Sequence, residues 1–253
     1  MQFLTGRSWC LMSIRYDKLR VLDGTVLKII AMVSMVFDHV GDMFFPDDLW
    51  PRMIGRLAMP LFAFCITEGY IHTRDKKKYL FRMGIFALVS EVPFDLAFEG
   101  KVSLNHQNIM LTFFMSILAL MLFDLIRGKK NEDTGRYSIG KTILGSLVII
   151  GTAAVAILIK ADYTIFAVIS VFLFYLFKDT KHFIRTGVGV AFLALTRTMG
   201  YYCTTGLSII PLLLYNGKKG KGLKWLFYAF YPGHLLLLYL IKLIVNGQLS
   251  IIP

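Results

Sequence analysis

Nine runs of mainly apolar residues divide the chain, near 26–45, 54–72, 79–98, 107–127, 141–160, 163–178, 183–200, 205–216 and 224–246. A hydrocarbon core takes about 20 such residues to cross, and fewer where neighbouring helices shield polar positions. The eighth run is short, and the sixth follows closely on the fifth. Lys and Arg concentrate in every second polar connection. They are Arg7, Arg15, Lys18 and Arg20 before the first run, then Arg74, Lys76, Lys77, Lys78 and Arg82 in the second loop. The fourth loop has Arg127, Lys129, Lys130, Arg136 and Lys141, the sixth Lys178, Lys181 and Arg185, and the eighth Lys218, Lys219, Lys221 and Lys224. The opposite connections hold only Arg52, Arg56, Lys101, Lys160 and Arg197. Short cytosolic loops are the positive ones. The pattern therefore predicts an all-α, polytopic transmembrane helical bundle of about nine spans with a cytosolic N-terminus. Residues 1–25 are expected to form a cytosolic leader, and 26–253 a single transmembrane domain in the cell membrane.

Composition agrees. Of 253 residues, 56% are hydrophobic and only 17% charged, with a mean hydropathy of +0.62. Soluble domains hold roughly 45–50% apolar and about 25% charged residues, and one water-soluble core could not hide this excess. The net charge of +12 is accounted for by loop topology, so no nucleic-acid partner is called for. The 3 Cys, at positions 10, 65 and 203, show no CxxC or Cys/His spacing, and neither a metal site nor a disulfide framework is expected. The leader lacks the uninterrupted apolar stretch and small-residue cleavage site of a signal peptide.

Ionisable groups inside a bilayer cost at least about 2.5–3.5 kcal/mol each at mid-depth, so they mark cavities and function. They crowd into the first three runs: Lys28, Asp38, His39 and Asp42; Arg56, Glu68 and His72; Glu91 and Asp95. The 11 steps from Lys28 to His39 close to within about 20° of three full turns, which puts both on one helix face about 16 Å apart. Asp42 continues that stripe one turn further, and is the easier carboxylate partner for the imidazole; Asp38 points about 100° away. A neutral imidazole can take a proton from a hydroxyl or amine and return it. His39, flanked by Asp38 and Asp42, is therefore the catalytic candidate, and Lys28 lies near the cytosolic end. Arg52 and Arg56, four apart on the outer side, suit capture of phosphate or carboxylate. Glu91 and Asp95 form an i, i+4 pair around Pro93 that could receive Arg56 or Arg197 as an ion network. His234 follows Pro232 and Gly233, which can open a helix toward a cavity.

The run from Leu27-Lys28 to Asp38-His39-Val40-Gly41 closely resembles the TraX family. So do Gly55-Arg56-Leu57-Ala58-Met59-Pro60 with Glu68-Gly69, Glu91-Val92-Pro93-Phe94-Asp95, and Lys224-Trp225 through Tyr231-Pro232-Gly233-His234. The matches fall in order over roughly 25–240. TraX proteins are known for N-terminal acetylation of conjugative pilin. The Lys28-x10-His39 spacing is also similar to the Arg/Lys-x10-His signature of integral-membrane acyltransferases that modify sugars and surface polymers. The resemblance implies His39 as catalytic histidine, acting as base or acyl carrier. It implies acetyl-CoA as donor without a metal, with Lys28 as the donor-binding candidate, and a protein or glycan acceptor at the outer face of a bacterial cytoplasmic membrane. Arg52, Arg56, Glu68, Glu91, Asp95, Arg197 and His234 are then the substrate-binding candidates, and lipid surrounds the bundle. The rival reading is a proton-coupled transporter or flippase with a relay of Lys28, His39, Asp42, Glu91 and Asp95.

Overall fold

The structure is a computed structural model that describes residues 19–103, 105–132, 134–196 and 200–247, the backbone alone at 200–203. Residues 1–18 of the expected leader, with Cys10, and the substrate-binding candidate Arg197 lie outside the described residues. Among these residues every regular element is a helix, and the only β pairing consists of the isolated bridges Leu22–Tyr215 and Gln107–Ala161.

The apolar runs fold as α1 (Gly24–Phe44), α3 (Ala58–His72), α4 (Lys76–Glu99), α5 (Ile109–Arg127), α6 (Ile139–Leu158), α7 (Thr164–Leu176), α8 (His182–Thr196) and α10 (Lys224–Val245). The short α2 (Leu49–Gly55) precedes α3, and a 3-10 helix (Gly200–Ser208) leads into α9 (Ile209–Leu213). Start signals are local. Asp23 accepts from the N–H groups of Thr25 and Val26, at 2.8 and 2.9 Å, to cap α1. Asp75 caps α4 in the same way through Lys78 N–H, and that bond holds its exposed carboxyl below the usual range. Asn108 and Ser138 begin α5 and α6.

Five helices are long and apolar enough to cross a membrane: α1, the combined stretch Leu49–His72, α5, α6 and α10. Of the nine expected runs, these are the ones that reach spanning length and hydropathy as single stretches among the described residues. At about 1.5 Å per residue, α7, with 13 residues, falls short of a hydrocarbon core about 30 Å thick. The eighth run is divided between the 3-10 helix and α9, and α4 has the length but carries charge from Lys76 to Glu99. Leu88, Leu125, Ile139, Leu147, Leu158 and Leu195 are each more than half exposed. Such an apolar exterior belongs in lipid, as expected of a membrane protein.

The helices form a ring around a cavity. α10 packs on α4 and α1, α4 on α5, α5 on α6 and α7, and α7 on α3 and α8, while α1 closes against α2 and α3. Small residues permit the closest approaches. A Cβ on Gly55 would lie 2.6 Å from Cα of Asp38, and one on Gly41 would lie 2.8 Å from Cβ of Pro51, so α1 and α2 meet almost backbone to backbone.

Contacts between chain-distant termini define two ends. At the basic end, Thr25 Oγ1 donates to Lys221 O at 2.9 Å, and Lys76 Nζ lies 2.9 Å from Asp124. Asp124 also accepts the hydroxyls of Tyr70 and Tyr175 at 2.7 and 2.6 Å, tying α3, α4, α5 and α7 together there. At the opposite end, Gln107 N–H donates to Lys160 O at 3.1 Å, and Thr204 Oγ1 to Met53 O at 2.9 Å.

Candidate functional site

A cavity of about 510 Å³ occupies the centre of the ring, within the size range of small-ligand sites. Its mouth at the basic end is lined by Lys28, Arg82, Lys219 and Lys224. Arg82 Nε is buried there without a hydrogen-bond partner, while the same guanidinium bonds Tyr228. Below the mouth the wall is aromatic and apolar, with Phe227, Tyr228, Tyr231, Phe62 and Met83. The deep end is lined by Asp38, His39, Asp162 and Tyr163.

Helical periodicity explains why Lys28 and His39 share this space: eleven residues bring α1 back to the same face three turns on. Lys28 Nζ sits 4.9 Å from the centroid of the Phe227 ring, so a cation–π contact fixes α10 against α1 at the mouth. At depth, His39 Nδ1 lies 2.9 Å from Nε2 of His234, and His234 Nδ1 donates to the carbonyl of Phe230 at 2.8 Å. Phe98 meets the His39 ring edge-on at 5.2 Å, and Phe230 lies parallel to His234 at 4.6 Å. His39 lines the cavity and His234 stands outside the lining.

Two expectations change here. Asp42 is not the partner of the imidazole. The turn after α1 folds α2 back along it, so Arg52 faces Asp42 and pairs with it, while its Nε lies 3.4 Å from Asp38. Asp42 is exposed to the opposite end rather than to the cavity. Nor does Arg56 reach Glu91 or Asp95: its Nη2 donates to Asp38 at 2.9 Å and its Nη1 to the Tyr163 hydroxyl at 3.0 Å, in a buried position.

The remaining candidates are dispersed. Glu68 lines the cavity but accepts from Arg185 at 2.7 Å and from the Tyr215 hydroxyl at 2.9 Å. Asn108 Nδ2 donates to Glu91, and the buried Asp95 accepts the Ser103 N–H at 2.9 Å; neither acid lines the cavity. Both secure the segment leading into α5. Pro93 and Pro232 lie within continuous helices and open neither. The proposed transporter relay is not assembled as a chain, since Asp42, Glu91 and Asp95 each engage other groups. Cys65 is a buried free thiol lining the cavity, and the side chain of Cys203 lies outside the described residues.

Sequence reasoning did not single out Tyr163, Asp162, Arg82 or the Phe227–Tyr228–Tyr231 wall as site residues. Tyr163 and Thr164 carry positive φ values of 55° and 40°, and non-Gly backbone held there is a marker of constrained sites invisible in composition. The spacing of Phe227, Tyr231 and Lys224 on one face of α10 was a readable signal.

A model of the family described as TraX protein matches residues 23–242. The chain belongs to the TraX family. It is 28% identical to the probable fimbrial assembly protein FimC, serogroup H1, of Dichelobacter nodosus, over 251 aligned residues that cover 84% of this chain and 92% of that protein. A second relative, the uncharacterized protein RP591 of Rickettsia prowazekii (strain Madrid E), is 32% identical over 80 residues, covering 32% of this chain and 30% of its own. No solved structure matches. The TraX match spans the cavity from Lys28 at its mouth to His39 at its depth and includes His234.

Proposed function

We propose that this TraX family member is a membrane acetyltransferase. It takes acetyl-CoA at the basic end and transfers the acetyl group to an amine of a fimbrial subunit or, failing that, to a hydroxyl of a surface glycan. The observation that carries this reading is that a single cavity joins the basic mouth of Lys28, Arg82, Lys219 and Lys224 to the imidazole of His39. A coenzyme A tail is a string of phosphates on a long flexible arm. The mouth supplies cations and an unpartnered guanidinium N–H for the phosphates, and the apolar wall receives the arm. About 16 Å of helix separates Lys28 from His39, a depth for an extended arm rather than a compact metabolite. The charged mouth faces the cytosol in this proposal, and the nine runs cross or enter the membrane alternately.

At depth, His39 acts as general base. The acceptor nitrogen bonds to the thioester carbonyl carbon as the carbon–sulfur bond breaks. His39 takes the proton that the nitrogen sheds and returns it to the departing thiolate, leaving an amide and free coenzyme A. The name of the Dichelobacter relative, a fimbrial assembly protein, favours a fimbrial subunit as acceptor.

The test is purified protein in detergent with labelled acetyl-CoA, release of free coenzyme A being followed with a fimbrial-subunit N-terminal peptide, a glycan or no acceptor. Release dependent on the peptide is expected. Absence of label transfer to either acceptor would overturn the reading.

A further inference from the structure

We propose that His234 is the positioning residue that fixes the tautomer of His39, holding the hydrogen on Nδ1 and leaving Nε2 as the bare, basic nitrogen. The inference rests on the acetyltransferase reading only for its catalytic consequence; the tautomer follows from the hydrogen bonds. A carbonyl oxygen can only accept, so the 2.8 Å bond from His234 to Phe230 O places a hydrogen on His234 Nδ1. In a neutral ring the other nitrogen, Nε2, is then a lone pair. It lies 2.9 Å from His39 Nδ1, and that nitrogen must supply the hydrogen between them. A neutral imidazole has one N–H, so His39 Nε2 carries none. It has no hydrogen-bond partner among the described residues and is not sealed from the cavity that the ring lines.

The geometry is that of a built pair rather than a chance approach. The two ring planes lie 10° apart with centroids separated by 5.1 Å, which is the nitrogen–nitrogen distance plus one ring radius on each side, so the bond runs nearly within both planes. Phe230 covers His234 at 4.6 Å, and Phe98 buttresses His39 at 5.2 Å. His234 itself is buried and stands behind His39, away from the lining. The chain Phe230 carbonyl, His234, His39 thus does what a buried carboxylate does in a Ser-His-Asp site: it selects the tautomer and the ring orientation. Asp38 and Asp42, the acids nearest in sequence, are engaged by Arg52 and Arg56. The imidazole of α10 therefore takes the place a carboxylate would fill.

Protein labelled with nitrogen-15 in its histidine rings, in detergent at neutral pH and without substrate, reports which ring nitrogen bears the hydrogen. His39→Gln identifies the signals of residue 39. The wild type is expected to show His39 protonated at Nδ1 and bare at Nε2. His234→Gln, whose side-chain carbonyl can still accept, should keep that pattern and much of the rate. His234→Leu should release His39 to the Nε2–H form favoured by a free side chain. It should lower kcat by tenfold or more, toward the roughly 10⁴-fold known for a wrong-tautomer histidine, with KM for acetyl-CoA changed by less than about twofold. A hydrogen on His39 Nε2 in the wild type, or a His234→Leu protein with unchanged tautomer and kcat, overturns the assignment. Because the spectrum needs no turnover, a wild-type protein that transfers no acetyl group would refute the acetyltransferase reading while the tautomer is still decided.

Discussion

Nη2 of Arg56 stands 2.9 Å from Oδ1 of Asp38, eighteen residues earlier in the chain, and the same guanidinium binds the Tyr163 hydroxyl. One side chain thereby links α1, the break between α2 and α3, and the constrained turn before α7. Removing one partner of a buried ion pair costs about 3–5 kcal/mol, because the other charge is left uncompensated. Arg56→Ala should accordingly lower the thermal midpoint and the activity together, and Arg56→Lys, which keeps the charge but loses the planar fork that reaches both partners from separate nitrogens, should fall between. Loss of transfer by Arg56→Lys at an unchanged midpoint would instead give Arg56 the acceptor-binding role.

Lys28 lies at the mouth, its ammonium over Phe227. If it meets a donor phosphate, Lys28→Ala should raise the KM for acetyl-CoA about tenfold, the equivalent of one charge-assisted contact worth about 1.4 kcal/mol, with kcat little changed. A kcat defect at constant KM would place Lys28 in the chemistry and not in donor binding. Arg82→Gln should behave in the same direction.

How much of this was legible follows from which distances a helix fixes. Lys28 and His39 are related by periodicity within one helix, so their common face could be read from spacing. His39 and His234 lie 195 residues apart, and no spacing rule connects them; only the packing of α10 on α1 does. Asp42 stands on nearly the same stripe as His39, yet the turn after Phe44 brings Arg52 against it, and pairing across that hairpin outweighs proximity along the helix. Hydropathy located the helices well because burial in lipid needs only composition. It does not by itself count crossings, because a run of apolar residues does not reveal whether the helix within it stops early, as α7 does at Leu176, or is divided, as at Ser208.

The alternation of basic loops makes a topological prediction. Val102 and Lys130 are exposed at opposite ends of α5. In a variant freed of native Cys, a Cys at 102 should react with a membrane-impermeant maleimide in intact cells, and one at 130 only after lysis. The reverse pattern would place the basic end, and with it the mouth, on the outside.

Gly55 tests the close approach of α1 and α2. An added Cβ would stand 2.6 Å from the backbone of Asp38, where no side chain can swing aside. Gly55→Ala should cost at least the roughly 1–3 kcal/mol of overpacking, read as a lower midpoint in detergent. It should also depress transfer, since Asp38 and His39 are adjacent. A variant as stable as the wild type would mean that the helices separate without penalty.

His39 carries the chemistry in the proposed reaction, and it can be separated from its packing role. The ring touches Phe98 and His234 and lines the cavity, so His39→Gln keeps most of the volume and a polar contact to His234 while abolishing proton acceptance. Transfer should fall by the roughly 10²–10⁴-fold typical of losing a general base, with binding of acetyl-CoA retained because the cationic mouth is some eleven residues away along α1. His39→Ala should show the same loss with a modestly lower midpoint. If His39→Gln still released coenzyme A in an acceptor-dependent manner at the wild-type rate, another group must take the proton. If it instead lost a proton-driven flux that the wild type displayed without coenzyme A, the site would belong to a transporter.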